Sequence, residues 1–289
     1  MKKDLKESRA VGYAVISAIY LTAIVMGIIL FNALKISYLT RVFLVDAAMT
    51  VYVFIFSCFL QNASVYDPYW SVAPPVILTV LSFSFGLNTL LILIIICVWV
   101  WSVRLTANWV YTFHGFSYED WRYKMLRENS GKMYPFVSFA GIHMFPTLVV
   151  YACIFPAMSA FSQSAEFNVL SIIGLAVCVA SILLQAVSDL QMQFFRKLKT
   201  GGLIQTGLWK YARHPNYLGE IGMWWGVFLA VVFTYPNLWY TFYGALINTL
   251  MFLFISIPMA DKRQSQKDGW DKRKAETHAL LPLPIFLRK

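Results

Sequence analysis

Long apolar runs, each near twenty residues, follow one another along most of the chain. An α-helix rises about 1.5 Å per residue, so about twenty residues cross the roughly 30 Å hydrocarbon layer of a bilayer. The pattern predicts an all-α fold, a polytopic membrane helical bundle with seven to eight transmembrane helices. The predicted spans are 11–34, 42–61, 72–86, 88–109, 136–161, 167–195, 217–234 and 238–258.

The third run, 72–86, decides between seven and eight spans, because it is short and begins near Pro74 and Pro75. A re-entrant or interfacial helix there leaves seven spans and reverses the orientation of everything before it. The basic residues favour eight. With eight spans, all of the 24 Lys and Arg except Lys35 and Arg41 lie on the side of both termini. The positive-inside rule then places both termini in the cytoplasm.

Composition agrees with a membrane protein, since 59% of the 289 residues are hydrophobic and only 13% are charged. Soluble domains carry about twice that charge. The net charge of +10 is interpreted as a topology signal and as contact with lipid head groups. No separate basic domain is present, so no nucleic-acid partner is expected. The four cysteines and the scattered histidines lack metal-ligand spacing, so no metal site is expected.

Polar side chains recur at helical spacing near the cytoplasmic ends of three predicted helices. Residues three and four positions apart share one helix face. A charge near mid-bilayer costs roughly 2.5–3.5 kcal/mol, so the three stripes together favour a shared polar cavity, with arginines as partners for the acids. Interfacial anchoring is the alternative, with Arg213 extending to the membrane surface and Glu220 paired with a neighbour. The stripes are Trp101, Arg104 and Asn108; Asp189, Gln193 and Arg196 or Lys197; and Arg213, Asn216, Glu220 and Trp224.

Other polar or small residues lie in and around the apolar runs. The segment after the second run contains Asn62, Tyr66 and Tyr69 and is either part of a site or an aromatic belt with a turn. Asp46, inside the second run, is either a functional acid or a paired structural one. Gly222 and Gly226 have the GxxxG spacing of close helix packing, which we expect here.

Five motifs resemble the membrane-embedded steroid 5α-reductase and sterol-reductase superfamily, with the greatest similarity to its bacterial DUF1295 branch. That likeness implies a multi-pass protein of the bacterial inner membrane. The motifs are Asn62-x-Ser-Val-Tyr-Asp-Pro-Tyr-Trp-Ser71, Arg104-Leu-Thr-x-Asn-Trp109, Glu119-Asp-Trp-Arg-Tyr123, Ser188-Asp189 and Gly207-Leu-Trp-x-Tyr-x-Arg-His-Pro-Asn-Tyr-x-Gly-Glu220.

The resemblance implies one integral membrane domain over 1–289. Its helices in 11–109 would lie on the substrate side, 110–135 would form a cytoplasmic loop, and 136–289 would hold NADPH from the cytoplasmic side. By motif position, the resemblance implies a cofactor site lined by Asp189, Arg196, Arg213, Asn216, Tyr217, Glu220 and Trp224. The polar stripes and the segment before the seventh run add further candidate cofactor-binding residues, which are Arg104, Asn108, Lys197, Tyr211 and His214.

The implied reaction delivers a hydride to the β-carbon of an α,β-unsaturated carbonyl in a lipid-like or steroid-like substrate. Steroid reductases polarise the carbonyl with a Glu that follows a Gln and with a Tyr three residues before an Arg-Thr. Here Asn62 and Trp101 occupy those positions. Asn62 can donate an amide hydrogen bond, whereas Trp101 offers only its indole N–H, so the group that polarises the carbonyl is either Asn62 or a tyrosine, Tyr66 or Tyr69. This departure places a steroid substrate in doubt.

Two other functions remain open. Isoprenylcysteine-type methyltransferases, which use S-adenosylmethionine, share the Arg-His-Pro-x-Tyr sequence but carry an acidic pair after the final span. Here that region reads Met259-Ala-Asp-Lys-Arg263. A non-catalytic lipid-binding protein is the third possibility. In each case the expected partners are a lipophilic small molecule and membrane lipids, and no obligate protein partner is evident.

Overall fold

Helices make up nearly all the regular structure in the computed structural model, which describes residues 7–164, 167–198 and 201–281. These ranges contain no β-strand, and a single backbone bridge joins Ala212 to His278. Within them, eight helical stretches are long and apolar enough to cross a membrane. This confirms the predicted polytopic helical membrane protein. The stretches are Arg9–Ala33, Tyr38–Leu60, Ala63–Phe85, Thr89–Thr112, Trp121–Ala160, Ser171–Lys197, Pro215–Thr234 and Pro236–Gln264.

Ten helices are named here in chain order. Two are continuous runs with a π-helical stretch inside: α6, with Ser138–Met144, and α9, with Phe252–Ser256. The helices are α1 (Arg9–Ala33), α2 (Tyr38–Leu60), α3 (Tyr69–Phe85), α4 (Thr89–Thr112), α5 (Trp121–Ser130), α6 (Tyr134–Val137, Ser138–Met144 and Phe145–Ala160), α7 (Ser171–Lys197), α8 (Pro215–Thr234), α9 (Tyr243–Met251, Phe252–Ser256 and Ile257–Gln264) and α10 (Trp270–Glu276). Short 3₁₀ turns occupy Ala63–Val65, Gly131–Met133, Gly207–Lys210 and Pro236–Phe242.

Local sequence explains where several helices begin. Side-chain oxygens of Ser8, Ser37 and Asp120 accept backbone hydrogen bonds at the starts of α1, α2 and α5. Helix α8 begins at Pro215, a position where proline loses no helical hydrogen bond. Arg213 therefore lies before the helix and not on the helical face expected from the sequence. Its backbone N–H donates to the carbonyl of His278 at 3.0 Å, which holds it outside the helix.

The chain divides into two compact units. The first comprises Met1–Leu87, as far as described, with Val98–Tyr151; the second comprises Asn88–Cys97 with the described part of Ala152–Lys289. These bounds differ from the division expected from the sequence. In the first unit, α1 and α2 pack around a buried cluster that includes Tyr20, Val53 and Tyr66.

The second unit is organised around close contact between α7 and α8. A Cβ on Gly226 would lie 2.8 Å from the backbone nitrogen of Cys178, and one on Gly174 would lie 2.2 Å from that of Ala230. A Cβ on Gly222 would lie 2.4 Å from the hydroxyl of Ser181. These approaches confirm the packing role predicted for Gly222 and Gly226.

Candidate functional site

The second unit brings several predicted cofactor residues together where α8 begins beside the end of α7. Asn216 Nδ2 donates to Asp189 Oδ1 at 3.5 Å, a long hydrogen bond. One turn further along α8, Trp224 Nε1 donates to Glu220 Oε1 at 3.0 Å. Asn216 and Glu220 are four residues apart and so share a helix face. Four of the predicted side chains therefore form two hydrogen-bonded pairs, and Asn216 and Glu220 place these pairs at adjacent turns of α8.

The Asn216 amide has an unmet hydrogen-bonding requirement. Its Oδ1 atom is buried and makes no hydrogen bond to any part of the chain that the structure describes. A buried polar atom without a partner costs about 1–3 kcal/mol, so such atoms are normally satisfied by water or by a ligand. An amide N–H or a sugar hydroxyl would be the complementary donor.

Arg213 and His214 are held by Asp261, a residue that the sequence reasoning did not select. Arg213 Nη2 lies 3.1 Å from Asp261 Oδ2, and His214 Nε2 lies 2.8 Å from Asp261 Oδ1. Arg213 also donates to the backbone carbonyl of Thr277. Of the arginines expected as partners for the buried acids, Arg213 thus forms its ion pair with Asp261. An acid at the end of the last apolar run, followed directly by Lys-Arg, was the available sequence signal.

Aromatic rings surround this ion cluster. The His214 imidazole stacks on the Tyr217 ring with centroids 5.1 Å apart, and the Arg213 guanidinium lies 5.8 Å from the Trp270 ring centroid. Tyr211 is exposed, with the Lys210 ammonium 5.7 Å from its ring centroid. Packing between rings and the guanidinium limits the movement of the segment that enters α8.

Cationic side chains lie in the last turn of α7 and on the segment that follows α9. Burial lowers the pKa of the Lys267 ammonium, and the positive charges of Arg263 and Arg196 lower it further. Lys267 Nζ donates to the carbonyl of Gly202 at 2.8 Å. The neighbouring Lys197 ammonium lies 5.9 Å from the Phe194 ring centroid. A lysine whose pKa is lowered by two neighbouring arginines is a natural partner for an anion such as a phosphate.

These groups fit the cofactor that the resemblance implies. The basic cluster Arg196, Arg263 and Lys267 suits phosphate groups, and the buried Asn216 oxygen suits a hydrogen-bond donor of a nucleotide. In the described ranges, no three His, Cys, Asp or Glu side chains are grouped so as to hold a metal ion.

In the first unit, the side chain of Asn62 hydrogen-bonds three backbone groups in two segments of the chain. Its amide donates to the carbonyls of Phe116 at 3.0 Å and Tyr118 at 2.9 Å, and its Oδ1 accepts from the N–H of Ser64 at 2.9 Å. The side chain is 2% exposed. Both amide hydrogens are thus engaged by backbone oxygens in this structure, which gives Asn62 a structural task beside the catalytic one predicted for it.

The other predicted catalytic residues of this unit are also buried, and two of them, Tyr66 and Tyr69, belong to one buried cluster, with ring centroids 5.4 Å apart. The Tyr66 hydroxyl is 2.7 Å from Thr147 Oγ1, and the Trp101 ring packs edge-on against Trp70, with centroids 5.9 Å apart. Tyr69 donates to Asp46 Oδ1 at 2.9 Å. Arg104 and Asn108 follow Trp101 on α4 at the spacing of one helix face.

An apolar cavity of about 90 Å³ lies between α1, α2 and α3. Tyr69 and Asp46 belong to its lining, whereas Asn62, Tyr66 and Trp101 do not. The structure thus places one of the four predicted catalytic residues at a cavity suited to a lipophilic ligand, together with an acid that the sequence left undecided.

The fold and these sites define a multi-pass helical membrane protein with an apolar cavity in one unit and a cationic, polar site in the other. The chain belongs to the family described as "Protein of unknown function (DUF1295)", which matches residues 53–277. It is also similar to "Uncharacterized protein C594.04c" of Schizosaccharomyces pombe (strain 972 / ATCC 24843), with 27% identity over 202 residues. That match covers 60% of this chain and 58% of the yeast protein, so the chain spans less than two thirds of that relative. No solved structure matches.

Proposed function

We propose that this protein is a reductase of the bacterial inner membrane, related to the steroid 5α-reductases. It would use NADPH to reduce a carbon–carbon double bond conjugated to a carbonyl in a lipid-like or steroid-like substrate. The observation that carries the proposal is the buried, unsatisfied Oδ1 of Asn216, next to Asp189 and in the same unit as a cluster of three cations.

Each group has a defined task in this proposal. Bound NADPH supplies a hydride. Arg196, Arg263 and Lys267 bind phosphate oxygens by charge-assisted hydrogen bonds. Asn216 accepts a hydrogen bond from the nucleotide, and Asp189 orients the Asn216 amide.

The ion cluster around Asp261 has a positioning role. It fixes Arg213 and His214 immediately before the first turn of α8, and so fixes the direction from which Asn216 faces the nucleotide. In the first unit, the apolar cavity keeps water away from the carbonyl substrate. Bound NADPH would supply the hydride for the β-carbon, and a proton drawn from solvent would complete the α-carbon, which would give the saturated carbonyl compound.

Isothermal titration of the purified protein in nanodiscs tests the proposal. NADPH should bind, and Asn216→Ala should weaken binding about three- to tenfold, the effect of one hydrogen bond. Lys267→Ala should weaken NADPH binding more than NADH binding if the cluster holds the extra phosphate of NADPH. Lys272→Ala is the matched control, because Lys272 is exposed and its ion pair among the described residues is a long contact with Glu276 within α10.

Three results would count against a reductase. Absence of NADPH binding at millimolar concentration contradicts it directly. Binding of S-adenosylmethionine in place of NADPH supports the methyltransferase alternative. Binding of neither cofactor, with no protection against thermal unfolding, supports a lipid-binding protein.

A further inference from the structure

The apolar cavity of the first unit has three polar side chains in its lining. Its walls are apolar side chains of α1, α2 and α3, interrupted only by Tyr20, Asp46 and Tyr69. We propose that the cavity binds a lipophilic ketone and that Asp46, supported by Tyr69, is the hydrogen-bonding site for the carbonyl oxygen. This deepens the proposed function and rests on it for the reduction of the ligand, but the binding site stands on its own geometry.

Asp46 is the main evidence for a ligand. It lies within the membrane-spanning helix α2 and is 7% exposed. Among the described residues, no basic side chain forms an ion pair with it. Ionisable side chains within membrane spans are costly, and those that persist usually have a functional partner. Among the residues that the structure describes, the side-chain partner of the Asp46 carboxyl is the Tyr69 hydroxyl.

The hydrogen bonds around Asp46 leave one oxygen available. Oδ1 accepts from the Tyr69 hydroxyl at 2.9 Å, while Oδ2 makes no hydrogen bond within the described ranges. The third polar side chain of the cavity, Tyr20, uses its hydroxyl hydrogen in a bond to the carbonyl of Val65 at 2.7 Å. Oδ2 of Asp46 is therefore the atom available to a ligand.

The chemistry of the carboxyl selects the ligand class. An apolar cavity disfavours an unpaired carboxylate, so the neutral carboxyl is the form expected there. A neutral carboxyl has one O–H donor, and Tyr69 fixes its other oxygen. Its complement is an uncharged acceptor such as a ketone carbonyl on an otherwise apolar molecule. A lipid acyl chain alone would leave that donor unpaired, and a cation would require the carboxylate.

Infrared spectroscopy of a ligand in the cavity tests this directly. The probe is methyl octyl ketone with an isotope-labelled carbonyl, added to the protein in nanodiscs. In the wild type, the bound ketone should show its C=O stretch at a lower wavenumber than the same ketone in empty nanodiscs, which lack this protein. Asp46→Asn should retain that band, because an amide N–H also donates. Asp46→Leu should lose it, and Thr22→Val, a hydroxyl on α1 bonded to Tyr52, should leave it unchanged.

A competition measurement needs only the wild type. Unlabelled methyl octyl ketone should displace the labelled ketone about three- to tenfold more effectively than n-decane, the advantage of one hydrogen bond. Equal displacement by the alkane would show a pocket for acyl chains and would overturn the proposal. So would a shifted band that persists in Asp46→Leu.

The two proposals can fail separately. NADPH oxidation is followed in the same samples with the corresponding α,β-unsaturated ketone. A shifted carbonyl band without NADPH oxidation keeps the binding site and rejects the reductase. Undiminished NADPH oxidation by Asp46→Leu, with no shifted band in the wild type, keeps the reductase and rejects the site.

Discussion

At the scale of single residues, Asp261 holds two cationic side chains where the chain enters α8. The carboxylate contacts both Arg213 and His214, and the side chains of all three are at most 15% exposed. Removing one partner from such a cluster leaves buried polar groups without compensation, which is costlier than losing an ion pair on the surface. Asp261 therefore stabilises the entry to α8 as well as the proposed cofactor site.

Replacement of Asp261 by Ala should lower the thermal unfolding midpoint of the protein in detergent. The free energy of unfolding should fall by about 1–3 kcal/mol, because the guanidinium and the imidazole lose their buried partner. Each kcal/mol corresponds to about 2–4 °C in a chain of this size. The matched control is Asp271→Ala, an exposed acid in α10, which should leave the midpoint unchanged. Equal midpoints for the two variants would show that the cluster around Asp261 is not stabilising.

At the scale of elements, glycines bring the α7 and α8 backbones into contact. The hypothetical Cβ atom on Gly226 meets the Cys178 backbone nitrogen and the Gly174 carbonyl oxygen, both at 2.8 Å. Backbone cannot move aside as a flexible side-chain end can, so a methyl group there must separate the helices. Asp189 lies on α7 and Asn216 on α8, so the same contact positions the proposed cofactor pair.

A Gly226→Ala substitution should destabilise the protein by about 1–3 kcal/mol through overpacking. The control is Gly141→Ala, since a Cβ on Gly141, also a helical residue, meets nothing within 4 Å. Alanine is intrinsically better than glycine in a helix by about 1 kcal/mol, so the control should be neutral or slightly stabilising. Thermal unfolding in detergent measures both variants. An unchanged midpoint for Gly226→Ala would mean that α7 and α8 can move apart without loss of stability.

At the scale of the whole chain, the number and positions of the apolar helices were predictable, because each membrane-crossing helix must be apolar over its own length. The Arg213–Asp261 pair was not predictable in this way. Its members are 48 residues apart, and the backbone contact of Arg213 with His278 joins segments still further apart. Helical spacing describes only neighbours on one helix, so it placed Arg213 on α8, whereas tertiary hydrogen bonds hold it outside. The sequence selected Asn62 for a catalytic role, which stays a prediction, and it gave no sign of the contacts with 116–118, because those partners are more than 50 residues away.

The orientation of the first helices is the property of the whole chain that the sequence left open, and Lys35 tests it. If Ala63–Phe85 crosses the membrane, as its length and composition allow, Lys35 and Lys132 lie on opposite sides, with Lys132 in the cytoplasm. If that stretch is re-entrant, one crossing fewer separates the two, and both lie in the cytoplasm. Both positions are exposed and so suit cysteine labelling.

The measurement uses Lys35→Cys and Lys132→Cys in a background with the exposed Cys58 changed to Ser. A membrane-impermeant maleimide added to intact spheroplasts should label position 35 and spare position 132, and lysis should make both reactive. Eight crossings leave only Lys35 and Arg41 on the outer side, among 24 Lys and Arg, which is the distribution that the positive-inside rule favours. Protection of position 35 in intact cells would establish seven crossings and place Lys35 and Arg41 inside and the N-terminal basic residues outside, against that rule.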